Sequence, residues 1–373
     1  MVPASPACAT VRVPVIGVAR VLSSVVATAD RSIGAMSNGS EVSDQGSSTT
    51  GQDGATGRRG VNRRAVLALV IALVFVAAVL GGAKILVDRN VYTAVAMGPV
   101  DSPAADSQTC ADVVGALPDR TSDYRSVDVA DPAPAGTAAY RDSGGTELTV
   151  RCGVNLPAQY SVLSETTGHG GVEWLQVTDA TPGSDLTTWY SVGVSPVVAV
   201  TGSHGADDAA ALTGFGTALA GHTDGADAPA PAPVPLTDLR QDAASGAAAD
   251  RCTGLLDGLP DGFGDYRRIA ADDPRAADLP DRAAAWTAPG LEPVVVRCGV
   301  RLSDSYQAGA RLTQINDVPW FEDTALAQGS TAGVWYALGY APTVAVSLPT
   351  DAGNQVLTQV SEQIAGSFRK TGE

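Results

Sequence analysis

The chain has 373 residues, of which 45% are hydrophobic and 17% charged. That leaves room for two or three folded units with cores of their own and excludes a wholly disordered chain. A formal net charge of −16 argues against a general nucleic-acid binder, and five Cys with three His leave little material for a metal centre or a histidine-based active site.

The charge is unevenly spread. Residues 1–90 carry nine Lys+Arg against five Asp+Glu, while residues 91–373 carry fifteen against thirty-five. Lys occurs only at Lys84 and Lys370, and Arg, Ala, Gly, Asp and Val dominate, the usage of a GC-rich bacterial genome.

Residues 1–64 read as a disordered cytoplasmic segment. Residues 37–57 are polar and rich in Gly and Ser, whereas 1–35 mix Val, Ala and Arg without a period. Met36 fits as the true start, which would leave Cys8 without a role. Ala65 to Ala83 then run nineteen residues without a charge. As a helix this stretch is about 28 Å long, close to a bilayer core. With Lys84 snorkelling, the membrane helix extends over 65–87. Arg58, Arg59, Arg63 and Arg64 put the preceding side in the cytoplasm and the acidic remainder outside. The rival is a cleaved signal peptide, but its small-x-small site, Ala94-Val95-Ala96, lies beyond Lys84, Asp88 and Arg89.

After a linker over 88–105, the chain is one module written twice, at 106–221 and 249–368. CADVVGALPDRTSDYR (Cys110 to Arg125) aligns with CTGLLDGLPDGFGDYR (Cys252 to Arg267) at an offset of 142. After a four-residue insertion the offset is 146 and holds. It pairs Ala138-Ala139-Tyr140 with Ala284-Ala285-Trp286, VRCGV at 150–154 with VRCGV at 296–300, and Val172-Glu173-Trp174 with Val318-Pro319-Trp320. It also pairs Trp189-Tyr190 with Trp335-Tyr336, and PVVAV at 196–200 with PTVAV at 342–346. Each copy has two Cys, on the outer side of the membrane where disulfides persist, so the expected bonds are Cys110–Cys152 and Cys252–Cys298. Zinc is the alternative, but the spacing matches no ligand pattern and no His accompanies the pairs in both copies.

Apolar residues at helical spacing predict an opening helix in each copy (Cys110, Val113, Val114, Leu117; Cys252, Leu255, Leu256, Leu259), ending at Pro118 and Pro260. Alternation predicts strands around Leu148–Cys152, Val172–Val177, Leu186–Val192, Val197–Val200 and Val294–Cys298. Closing helices are marked by Leu212, Phe215 and Leu219, and by Val356, Val360 and Ile364. The fold class is α+β: a transmembrane helix, then two modules of helix, antiparallel strands and helix, each with one disulfide. The linker over 222–248 contains ADAPAPAPVPL (Ala226 to Leu236), read as a semi-rigid spacer that holds the modules apart.

An opening Cys before LP, an aromatic after a small pair, VRCGV, G-V-x-W and a final V-x-V strand together resemble the actinobacterial envelope proteins of unknown function called DUF3515. The resemblance covers about 110–202 and 252–346. It implies a single-pass membrane protein with one extracytoplasmic module; the duplication departs from that pattern, and no activity comes with it.

Chemistry is sparse in the pattern. His169, His204 and His222 have no counterparts in the second copy and read as loop histidines. Asp123 and Asp265, in the shared DYR, read as turn caps or surface ion pairs rather than general acids. No catalytic residue, cofactor site or metal site emerges. Trp174, Trp189, Tyr190, Trp320, Trp335 and Tyr336 are either core or a partly exposed aromatic strip for a glycan or a protein partner. Arg151 and Arg297 adjoin the strand cysteines and should point away from them, to solvent or to an anion. The leading reading is a non-catalytic envelope protein with two tandem binding modules. It contacts the membrane through 65–87 and an envelope protein or wall polymer through its modules, and no nucleic acid. The alternatives are a hydrolase or transferase acting on wall polymers, which needs converging carboxylates, and a structural spacer.

Overall fold

The computed structural model describes residues 63–371, apart from 180, 182, 204, 243–245 and 325–331. The expectations for 1–62, including Met36, Cys8, Arg58 and Arg59, fall outside the described residues, as does His204.

Helix α1 covers Arg63–Val91. Its stretch Val66–Leu86 has a mean hydropathy of 2.9 and buries none of its surface. Among the described residues it is the one helix long and apolar enough to cross a membrane.

The first module opens with α2 (Gln108–Ala116). The Ser107 side chain caps it, accepting from the Cys110 amide at 3.2 Å, and the chain leaves the helix just before Pro118. Eight strands follow: β1 (Arg120–Thr121), β2 (Tyr124–Val127), β3 (Thr137–Arg141), β4 (Glu147–Cys152), β5 (Thr166–His169), β6 (Val172–Thr178), β7 (Thr187–Val192) and β8 (Val198–Gly202). Helix α3 (Leu212–Ala220) closes the module. The strands form one antiparallel sheet in the order β1-β2-β3-β4-β8-β7-β6-β5.

The second module repeats the plan. Helix α4 (Gly246–Gly258) leads into β9 (Gly262–Phe263), β10 (Tyr266–Arg268), β11 (Ala283–Thr287), β12 (Val294–Cys298), β13 (Thr313–Ile315), β14 (Val318–Asp323) and β15 (Ala332–Ala337). Then come β16 (Tyr340–Ala341), β17 (Val344–Pro349), helix α5 (Gly353–Ser367) and β18 (Arg369–Lys370), which pairs with β16. The sheet order β9-β10-β11-β12-β17-β15-β14-β13 is that of the first sheet with β17 in the place of β8.

Period-two alternation decides which side chains meet the helices. In the first sheet Tyr140, Leu148, Val150, Trp174, Trp189 and Val200 pack under α2 and α3 against Val113, Leu212, Phe215 and Leu219. In the second, Trp286, Val294, Val296, Trp320 and Val346 pack under α4 and α5 against Leu255, Val356, Val360 and Ile364. The disulfides Cys110–Cys152 and Cys252–Cys298 tie each opening helix to the central strand, with 5.5 Å between Cα atoms in both.

The opposite face of each sheet is also covered. In the first module Val95 and Met97 pack on Ala139, with Val95 bridged to Val129. In the second Val234 and Leu236 pack with Ile269, Ala285 and Val295. The Pro-rich segment is therefore not a spacer holding the modules apart. It is a strap of the second module, and its apolar residues between the prolines are what the sheet buries. It also pairs with the first module: Ser161 and Ala232 form a parallel bridge, in which Val162 donates to the Ala232 carbonyl at 2.9 Å and Ala232 to that of Tyr160 at 2.9 Å. Leu163 of the first module is fully buried in the same cluster as the strap. The Thr178 amide reaches across to the Gly290 carbonyl at 2.8 Å.

Candidate functional site: the cleft between the modules

Trp174, Trp189 and Trp320 lie in the helix-side cores with at most 1% of their surface exposed, and half-buried Trp335 packs on the second core. The indole of Trp174 donates to the His169 carbonyl at 3.2 Å and that of Trp320 to Ser361 Oγ at 2.9 Å. Tyr190 and Tyr336 are one residue further on, so they face the other way. Tyr336 is buried beside Phe321, and burial with Asp323 nearby pushes its hydroxyl up to about 12. Half-buried Tyr190 lies against Val154, Val197 and Ala199, and its hydroxyl is raised by burial. Among the described residues these six aromatics do not make a continuous exposed strip, because neighbouring residues of a strand serve opposite faces and both faces are packed.

Arg151 and Arg297 do point away from the cysteines, but toward backbone: Arg297 is buried and Arg151 half-buried. Each holds the strap that precedes its own module. Arg297, 5% exposed, donates from Nη1 to the carbonyls of Leu236 (2.6 Å), Thr237 (3.1 Å) and Leu239 (2.9 Å). Arg151 donates from Nη2 to the Gly98 carbonyl at 2.9 Å. Burial pulls both guanidiniums below their ordinary value. The hydrogen bonds given by Arg151 Nη2 and Arg297 Nη1 go to backbone carbonyls, while Arg297 Nε is buried without a partner.

Asp123 and Asp265 are exposed in the β1–β2 and β9–β10 turns, as turn residues should be. Tyr124 instead gives its hydroxyl to buried Asp208. His222 is exposed, and His169 is half-buried.

A half-open cavity of about 480 Å³ lies where the modules meet, within the usual range for ligand sites. One wall is the first-module loop at Ala158, Gln159 and Ser161; another is the strap from Ala232 to Leu239. The floor is the second sheet at Val334 and Ser347, closed at one end by Glu292 and Pro293. Its lining is mostly Ala, Pro, Val and Leu, with no basic side chain. Glu292 and Ser347 are buried, while Asp238 on the rim is exposed. Sequence reasoning missed this site, since Ala232-Pro233-Val234-Pro235-Leu236 looks like linker in isolation. The signal available was the pair Val234 and Leu236, which alternate as a buried strand does.

The family described as proteins of unknown function, DUF3515, matches this sequence twice, over residues 69–228 and 215–371. The chain belongs to the DUF3515 family. It carries the family's domain as a tandem duplication. The second DUF3515 match begins well before Cys252 and so includes the strap as part of the repeated unit. Searches of curated proteins and of solved structures gave no match.

Proposed function

We propose that this DUF3515 protein is a single-pass membrane protein of the cell envelope. Its two modules stand outside the cytoplasm and act together as one non-catalytic binding unit. The exposed apolar surface of α1 supports the membrane assignment. The buried disulfide in each module supports an oxidising compartment. The inter-module cleft carries the binding reading: neither module forms it alone, so a duplicated chain gains a site that a single module lacks. Its apolar lining and acidic end fit a partner segment with an apolar body and a hydrogen-bond donor or cationic group.

In-cell photo-crosslinking tests this in the full chain, with probes at Gln159 and Asp238 and a control at exposed Thr253 on α4. A discrete adduct from the cleft positions, lost when Val334→Trp fills the floor, is the expected result. Equal labelling from all three positions would overturn it.

One observation favours a second reading: Glu292 and Asp238 both line the cleft, and a hydrolase acting on wall polymers needs two carboxyls flanking one bond. Asp238 faces solvent while Glu292 is buried, so the two share no common environment. Turnover of wall polymer by the purified chain, abolished by Glu292→Gln, would establish this alternative.

A further inference from the structure

Three arginines face one another across adjacent strands of the first sheet. Arg120 of β1 is the register partner of Arg125 of β2, which is in turn the partner of Arg141 of β3. Direct partners share a face, and their Cβ atoms lie about 5 Å apart. The row therefore spans about 10 Å across three strands. Like charges placed directly opposite destabilise a sheet. Within the row a single carboxylate compensates: Glu147, the partner of Arg141 on β4, accepts from it. Arg120 and Arg125 are exposed. This row stands in the part of the chain where acidic residues outnumber basic ones thirty-five to fifteen.

The place of the row is as informative as its charge. Arg141 donates from Nη1 to the carbonyl of Val91, the last residue of α1, at 3.1 Å, and to Thr93 Oγ1 at 3.0 Å. The guanidinium of Arg125 lies 5.4 Å from the centre of the Tyr92 ring. The apolar stretch of α1 ends at Leu86. At about 1.5 Å per residue Val91 is about 8 Å further along the axis. The interfacial layer adds about 5–8 Å on each side of a hydrocarbon core. The arginine row is thus fastened to the helix at headgroup depth.

The duplication supplies an internal comparison. In the second module the row reads Gly262, Arg267 and Thr287, with Pro293 at the position of Glu147. The fold accepts that row without three arginines, so the sheet itself does not demand them. They occur in the copy joined to α1.

We propose that Arg120, Arg125 and Arg141 form a docking row for anionic phospholipid headgroups in the leaflet where α1 emerges. Guanidinium forks pair with phosphate oxygens bidentately. The row would hold the first module against the bilayer and fix which face of the protein looks outward. This rests on the membrane-anchor reading above.

The test uses the full chain in lipid nanodiscs of phosphatidylcholine, with and without phosphatidylglycerol, each doped with a photoactivatable phosphatidylglycerol. The readouts are the residues crosslinked and the fraction of chain inserted. Expected are adducts on β1–β3. In Arg120→Gln/Arg125→Gln these adducts fall roughly thirtyfold, from about 1 kcal/mol for each basic residue near an anionic surface. Arg267→Gln, the equivalent position in the second module, leaves them unchanged. Arg141 stays intact because it also holds Val91, and mass spectrometry of both disulfides confirms the fold of each variant. Insertion with adducts elsewhere, or adducts indifferent to the double substitution, would overturn the proposal and leave the anchor standing. Failure to insert would overturn the anchor itself. Loss of the adducts on adding millimolar glycerol phosphate would assign the row to soluble phosphate and overturn the lipid assignment.

Discussion

Arg275 of the second module donates from Nη1 to Glu165 of the first at 3.0 Å, and the same nitrogen reaches the Leu163 carbonyl at 3.2 Å. Its Nη2 is held by Asp273 at 2.7 Å. Glu165 also accepts from Thr287 Oγ1 at 3.2 Å. The modules are thus joined by an ion pair and by backbone, with Leu163 buried behind it. Hydrogen bonds from Arg275 hold the Asp273 carboxyl down at about 2, below the ordinary value near 4. A depressed carboxylate stabilises the fold above its unfolded value and loses that contribution as pH falls through the folded one. Thermal unfolding of the detergent-solubilised chain should therefore show a lower midpoint as pH drops from about 4 to about 2, beyond the general acid loss. Arg275→Gln should remove that part of the dependence.

Gly290 sits against the first module at φ +75, where a Cβ would fall 2.3 Å from Thr178 Oγ1 and 3.3 Å from its amide nitrogen. Gly290→Val must therefore strain the backbone, at about 1–3 kcal/mol, and push the modules apart. Hydrogen exchange should rise at Thr178 and along 158–164, with the helix-side cores still protected. Unchanged exchange at Thr178 would show that the interface contributes little.

Arg297 holds three strap carbonyls, and removing it takes a donor from each: that of Leu236 keeps the Leu239 amide at 3.2 Å, while the part-buried bonds to Thr237 and Leu239 are lost. Arg297→Ala should destabilise the second module by about 3 kcal/mol or more. It should also raise exchange across 232–239, while Arg151→Ala, which frees the single Gly98 carbonyl, should have a smaller effect. Equal effects from the two would refute the assignment of the strap to Arg297.

Trp320→Ala should cost about 3–5 kcal/mol, as expected for a fully buried aromatic. Trp320→Phe should keep most of the packing but leave Ser361 Oγ without its donor, at about 1–3 kcal/mol. Denaturant unfolding measures both. A Trp320 variant of unaltered stability that loses partner binding would contradict the core placement.

Each disulfide closes a long stretch of chain, with separations of 42 and 46 residues. On the chain-entropy account, replacing one pair by Ser costs about 4 kcal/mol. Cys252→Ser/Cys298→Ser should lower the second module's unfolding midpoint much more than the first's, read by limited proteolysis over a temperature ramp. Equal loss in both modules would mean that they unfold as one cooperative unit.

Much of this was legible in the residues alone. An uncharged run marked α1 because helix length and hydropathy are properties of consecutive residues. A constant offset exposed the duplication, and with it the pairing of Cys110 with Cys152 and Cys252 with Cys298. Alternation along VRCGV placed Arg151 and Arg297 on the face opposite the cysteines. What alternation could not tell was what covers that face. The strap at 232–239 arrives from outside the repeated motifs, and the loop bearing Leu163 from the other module. Exposure depends on packing between distant segments, and so the arginines expected at the surface hold backbone, the aromatic strip dissolves into two cores, and the spacer becomes a clamp. The cleft and the arginine row have the same origin. Glu292 and Ser161 line one cleft, and Arg120, Arg125 and Arg141 share one row, only through tertiary packing and strand register, which long-range pairing sets and no local period records.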